Sequence, residues 1–328
     1  MCIRDRSKHE KELKNYFATS SYYPQQTAVL GLLRYLCLIA SNNLESQDKT
    51  SIIGSNFDVD NARQDKGWIE KISPLTIVKI EEGVVKECYI PKAIRNQINN
   101  RIQTLKNINL KSRIENTYNC YYSLTSAFDY KKFDTGVQWV DQDDNIQKEI
   151  FEKSLTKSGV NIAINKLKEE GGYYKQTMQK LKKKHAFGVW VNLASIHELD
   201  LAKTYLLPFG ADQGLFNIQF YENIDDKFED EGIVSNTIHL LSDAFICKDM
   251  HQYIDFGLNE SIDFRFIKSK AKEYYQINNS AGKGDKSDKY TLMQRGSVLY
   301  CNDGKAIGSL LRANINFREI GYNYYKYI

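Results

Sequence analysis

The chain has 328 residues, of which 42% are apolar and 12% aromatic. That length suggests about two domains, each able to bury a core, and the composition excludes a disordered chain. The formal net charge of +4 excludes a protein that coats DNA through bulk charge, so any electrostatic role rests on local clusters.

Tyrosine is abundant, with 22 copies. Its ring can be buried while its hydroxyl stays wet, which suits a surface that meets partners and equally a β-rich core. The six cysteines (Cys2, Cys37, Cys88, Cys120, Cys247 and Cys301) are isolated and read as reduced thiols. No apolar run approaches the roughly 20 residues of a membrane-spanning helix. The stretch Val29–Ala40 is broken by Arg34. A cytoplasmic protein without a membrane partner is expected. Met1-Cys2-Ile3-Arg4-Asp5-Arg6 is not followed by the apolar region of an export signal. It looks like translated sequencing adapter, so residues 1–6 are set aside as an assembly artefact and the natural start is expected to be missing.

In chain order, Tyr22-Tyr23-Pro24 opens a helix, with Pro24 fitting a first-turn position. Apolar residues at 29, 30, 32, 33, 36, 37 and 39 bury most of it. Thr27, Gly31 and Arg34 share one face at i, i+4 and i+7. Residues 42–67 read as a polar loop. Leu75–Ile80 and Val84–Ile90, separated by Glu81-Glu82-Gly83, read as a hairpin. Residues 92–113 carry six basic side chains and no acidic one, which reads as a solvated face or as a footprint for a phosphate backbone. Helical composition is centred on Asn145–Lys157. After Gly171-Gly172 comes a basic run of Lys180, Lys182, Lys183 and Lys184. His185–Leu193, Gly214–Tyr221, Ile238–Cys247 and Ile262–Ile267 read as strands, and residues 278–289 as a loop. Beyond Thr291 short apolar runs alternate with Gly296, Gly304, Gly308 and Gly321. Strands mixed with a few helices in both halves give an α+β pair of domains.

Few motifs carry chemistry. Asp141, Asp143, Asn145 and Glu152 imitate a calcium loop, but Ile146 stands where the sharp turn needs glycine. The five histidines fall in no zinc or nucleophile pattern, and no phosphate-binding glycine loop occurs. The helix start is an anion site in outline, with Gln25, Gln26 and Thr27 beside free N–H groups and Arg34 as a phosphate fork. On the residues alone, the favoured reading is a capped helix end with one exposed arginine. Tyr173, Tyr174, Lys175 and Gln176, followed by Lys183 and its neighbours, interleave aromatic and basic groups as single-strand binders do. An exposed hairpin with a lysine-rich turn has the same pattern. Arg295-Gly296-Ser297 and Ile320-Gly321-Tyr322-Asn323 place glycine where another chain or an RNA approaches closely, or where a sheet bulges.

Taken together, Tyr22–Thr27 with Leu30–Arg34, Glu170–Gln176, Leu207–Phe216, Ser242-Asp243-Ala244, Arg295–Val298 and Ile320–Asn323 resemble, in order and spacing, the third subunit of the type III-B CRISPR effector called the Cmr complex, in its Bacteroidetes-like branch. The resemblance implies two ferredoxin-like, RRM-related RAMP domains, over residues 7–165 with insertions and 166–328, the first lacking its N-terminal strand. It implies a non-catalytic subunit without cofactor or metal. Such a subunit grips the 5′ handle of the crRNA and docks to the large polymerase-like subunit and the backbone RAMP subunits. The RNA-binding residues it points to are Gln25, Gln26, Thr27, Arg34, Tyr173, Tyr174, Lys175, Gln176, Lys183, Arg295, Tyr322 and Asn323. The alternative is a RAMP-type endoribonuclease that processes precursor crRNA, disfavoured because no histidine lies between His9 and His185.

Overall fold

A computed structural model of the protein describes residues 16–19, 22–45, 49–55, 57, 59, 64–93, 138–141, 145–147, 150–152, 155–160, 173–194, 199–209, 214–222, 228, 231–266 and 287–328. Residues 16–19, 155–160 and 173–178 are described by their backbone. Residues 1–6, the basic run from 94 to 113, Asp143, Gly171-Gly172, the turn at 210–213 and the loop at 278–286 lie outside the described residues.

Strand β1 (Tyr16–Thr19) precedes helix α1 (Gln26–Ala40). The helix buries Val29, Leu30, Leu33, Leu36, Cys37 and Leu38, the one-sided stripe that a 3.6-residue period produces. It begins two residues after Pro24, with Gln25 as N-cap, so Pro24 precedes the helix instead of opening its first turn. It ends where Asn42 takes a φ of 55°. There Asn43 N–H bonds to Leu38 O at 3.0 Å and Asn42 N–H to Ile39 O at 3.2 Å, the paired closing bonds that a left-handed residue permits.

A one-turn helix, α2 (Thr50–Ile53), leads to β2 (Ile69–Ile72) and the hairpin β3 (Thr76–Glu81) and β4 (Val84–Pro91). Glu82 and Gly83 both have positive φ, 53° and 76°, as a tight two-residue hairpin turn requires. Then follow β5 (Trp139–Val140), β6 (Leu155–Val160), β7 (Tyr173–Met178), β8 (His185–Gly188) and β9 (Val191–Leu193). These form sheets in the orders β5-β4-β3-β8, β2-β9 and β1-β7-β6. The run His185–Leu193 is two strands because Trp190 breaks it, exchanging bonds with Ser73 between β2 and β3.

One expectation is corrected here. The described residues of the stretch 145–157 form no helix: β6 begins at Leu155, and Glu152 N–H bonds to Lys180 O while Lys182 N–H bonds to Ile150 O. The edge contact of Phe151 with Tyr22, at 5.1 Å, and the pairing with 180–182 override a local helical preference. Strands β7, β8 and β9 pair with β1, β3 and β2. A strand also stands upstream of α1, and it pairs in parallel with β7.

The second half opens with the hairpin β10 (Tyr205–Phe209) and β11 (Gly214–Ile218). Then come β12 (Thr237–Leu240), a 3-10 turn at Lys248–Tyr253, β13 (Ile254–Leu258), β14 (Ser261–Phe264), β15 (Tyr290–Met293) and β16 (Val298–Cys301). Helices α3 (Gly304–Ala313) and α4 (Ile315–Arg318) precede the last strand, β17 (Tyr325–Tyr327). The main sheet has the order β13-β16-β12-β17, every pair antiparallel. The expected strand Ile238–Cys247 stops at Leu240, beyond which Leu241 N–H and Ser242 N–H both bond to Tyr324 O.

Asp303 caps α3, accepting from Ala306 N–H at 2.9 Å. Ile307 and Leu311 of α3 cover Ile238, Leu240, Leu299, Cys301, Tyr325 and Tyr327. On the other face Phe256 stacks on Tyr300 at 4.4 Å, in a row beside Thr237, and His239, Val298 and Leu258 form the next row. All of these except Thr237 are buried. One apolar core joins the halves, running from Leu33 and Leu36 of α1 through Ile77 and Tyr89 to Phe264, Leu292, Phe317 and Tyr322.

Candidate nucleic-acid interface

The polar motifs near α1 and the C-terminus come together, but inside the protein. Asp243 is the hub. Its Oδ1 accepts from Arg295 backbone N–H at 2.9 Å and from Tyr23 Oη–H at 3.3 Å, and its Oδ2 from the Arg295 guanidinium at 3.2 Å. Arg295 also donates to Leu75 O at 2.8 Å and lies over the Tyr23 ring at 3.9 Å. Both side chains of the pair are almost wholly buried, at 0% and 2% exposure. Burial pulls the Arg295 guanidinium down, but its neighbours, Asp243 first among them and then Tyr23, together outweigh burial and hold it above the ordinary arginine range. Burial, and then Asp243, push the Tyr23 and Tyr322 phenols well above theirs.

Gln26 completes the junction. Its Nε2 donates to Ser73 O at 2.9 Å and to Ile320 O at 3.0 Å, and its Oε1 accepts from Leu75 N–H at 2.9 Å. The amide is buried and its hydrogen-bonding needs are met. Gly321, at φ 91°, leaves room for it, since a Cβ there would overlap Gln26 Nε2 and crowd Ser73 O. The close approach expected at this glycine is real, but the approaching group belongs to the protein itself. Asn323, at φ 61°, accepts from Phe245 N–H at 2.8 Å through Oδ1. Tyr322 packs its ring edge to face with Phe317 and Phe264, at 5.5 Å each. Gln26, Arg295, Tyr322 and Asn323 therefore present almost no accessible surface.

The rest of the helix-start group is partly open. Gln25 and Thr27 are half-buried. Arg34 donates to Ser55 O at 2.6 Å, tying α1 to the segment after α2. Burial pulls it down to about 10 against the nearby Asp65 carboxylate. It lies about 12 Å along the axis from Gln26, so these residues form no single anion cradle. Gly31 is exposed, and a Cβ there would meet nothing within 4 Å.

The central motif lies elsewhere. Tyr173–Gln176 occupy β7, the middle strand between β1 and β6. The register places Tyr174 between Tyr16 and Gly159, and Lys175 between Phe17 and Ser158. The bridge between Phe151 and Leu181 continues the β6–β7 ladder beyond those strands, so the lysine run stands at the base of a long ribbon. Lys180 pairs with Glu152 at 3.0 Å and Lys184 with Glu81 at 3.4 Å. Lys183 is exposed and, among the described residues, has no carboxylate partner. The Asp141 carboxylate, part of the calcium-like pattern, accepts from Asn145 N–H at 2.9 Å and Gln147 Nε2 at 2.8 Å. The sequence reading missed Tyr16, Lys157 and Gly159 as neighbours of the motif, because strand register cannot be read from composition. It also missed the bonding of Asp243, although Ser242-Asp243-Ala244 drew notice.

No protein-family description and no curated protein matches the sequence. Among solved structures, the cryo-EM structure of the type III-B Cmr-beta bound to cognate target RNA contains a similar chain. The TM-score is 0.50 at 16% identity, covering 98% of this chain and 93% of that chain. This protein shares the fold of a Cmr-beta chain. A chain of Cmr-beta bound to cognate target RNA and AMPPnP, state 1, gives a TM-score of 0.49 at 16% identity, over 98% and 91% of the two chains. At that identity the likeness is one of fold. Among the described residues, no helix is long and apolar enough to cross a membrane.

Proposed function

We propose that this chain is a non-catalytic crRNA-binding subunit of a type III-B CRISPR interference complex, the counterpart of the third Cmr subunit. In this reading it grips the 5′ handle of the crRNA and docks to the large polymerase-like subunit and the backbone RAMP subunits. The observation that carries the proposal is the likeness of fold, over 98% of the chain, to a chain of RNA-bound Cmr-beta. The succession β12, 3-10 turn, β13, β16, α3, β17 supports a ferredoxin-like, RRM-related second domain. Numbered within that unit, its strands lie in the order two, three, one, four. Both faces of that sheet are covered, so the RNA-facing surface is sought outside it. The aromatic and basic residues of β6 and β7, with Lys183, which is exposed and has no carboxylate partner among the described residues, are of the kinds that unpaired RNA takes.

The test is co-expression with the other subunits of such a complex, followed by purification through one of them. The chain is expected to co-purify and to crosslink to the repeat-derived 5′ end of the guide. A complex that assembles and binds guide RNA without it would overturn the reading. Metal-free cleavage of repeat RNA by the purified chain would favour the endoribonuclease instead.

A further inference from the structure

The β1-β7-β6 sheet sets residues distant in sequence into cross-strand rows. Tyr16, Tyr174 and Gly159 form one row, and Ala18, Gln176 and Lys157 form the row two residues along. Side chains alternate between faces along a strand, so these two rows share one face, about 7 Å apart. The intervening row of Phe17, Lys175 and Ser158 belongs to the opposite face. One face of a small sheet thus brings two tyrosines onto adjacent strands, roughly 4.8 Å apart, with a glycine as the third member. The next row carries an amide and a cation. At the base of the same ribbon stands Lys183, exposed and without a carboxylate partner among the described residues.

We propose that the Tyr16–Tyr174–Gly159 row is a stacking platform for unpaired RNA bases. In this arrangement Gln176 meets a base edge, and Lys157 and Lys183 follow the phosphates. The chemistry is general: aromatic faces accept any base, cations track the backbone, and a glycine beside them leaves room for a ribose. The second domain's sheet has no such face to offer, because Phe256, Tyr300, Val298 and His239 are buried there. This inference rests on the RNA-binding reading above and names the surface that does the binding. It adds residues of β1 and β6 to the site, none of which is among the twelve residues singled out for RNA.

The full chain is titrated against a fluorescein-labelled 12-nucleotide unpaired RNA. Tyr16→Ala and Tyr174→Ala are each expected to weaken binding about tenfold, while Tyr16→Phe and Tyr174→Phe stay within about twofold, since the ring and not the hydroxyl stacks. Lys157→Ala is expected to flatten the salt dependence by about 0.7 in log–log slope. Wild-type protein is also irradiated with 4-thiouridine-substituted RNA, which keeps the test open if an alanine variant misfolds. Crosslinks at residues 16–18, 157–159 or 174–176 support the platform. Wild-type binding that both alanine variants retain, a phenylalanine loss as large as the alanine loss, or crosslinks confined elsewhere would overturn it and leave the RNA reading standing. Failure of the wild-type chain to bind RNA, alone and in the complex, would overturn both.

Discussion

The junction around Asp243 and the ribbon built on β7 look alike in sequence, both joining glycine, tyrosine and polar side chains, yet they differ in kind. In the junction every polar group of Gln26 meets a backbone partner and Arg295 is sealed against Tyr23. In the ribbon the backbone is paired, while Lys183 at its base faces solvent without a counterion among the described residues. In the junction the close approach at Gly321 is made by Gln26 of the protein itself. A buried polar cluster whose hydrogen bonds are met fixes a fold, whereas an exposed cation does not hold the interior together.

That contrast can be broken most forcefully at Asp243. Replacing it with alanine leaves a buried guanidinium and the Arg295 N–H without their partner, and is expected to lower stability by about 3–5 kcal/mol. Urea unfolding measures this. Unchanged stability with lost RNA affinity would move Arg295 from the interior to the interface. Gln26→Ala strands Ser73 O, Ile320 O and Leu75 N–H, and should lower stability by about 2–3 kcal/mol in the same assay. A full-strength Gln26→Ala protein would mean that the junction is not the weld described here. Gly31→Ala has the opposite sign. The position is helical and open, so alanine should raise stability by about 0.5–1 kcal/mol, and a loss would reveal an internal contact. Lys183→Ala sharpens the other side of the comparison. It should leave the urea midpoint where it is and reduce the salt slope of RNA binding by about 0.7, measured by titration at several salt concentrations.

Much of the architecture was legible beforehand. The apolar stripe of α1, the β3–β4 hairpin with its turn at Glu82-Gly83, and strands at β8, β11, β12 and β14 follow from periodicity and turn chemistry. Helix α3 was legible in principle, with Asp303 as cap and apolar residues at 306, 307, 310 and 311, but its glycines drew attention instead. Three features were beyond local reading. The extended course of Phe151 depends on Tyr22, far away in sequence. The rows of the β1-β7-β6 sheet depend on a register that composition does not encode. The inward turn of Arg295 depends on Asp243, whose partner only folding supplies. Of the twelve residues first picked for RNA, Gln26, Arg295, Tyr322 and Asn323 are interior. Gln25, Thr27 and Arg34 are partly open, and Lys183 is exposed.

The most direct test of this division is amide hydrogen exchange of the full chain with and without unpaired RNA. The account predicts new protection over residues 155–160 and 173–185, with no change over 23–27, 243–245, 294–297 and 320–325. Protection that appears at the second set and spares the first would contradict it.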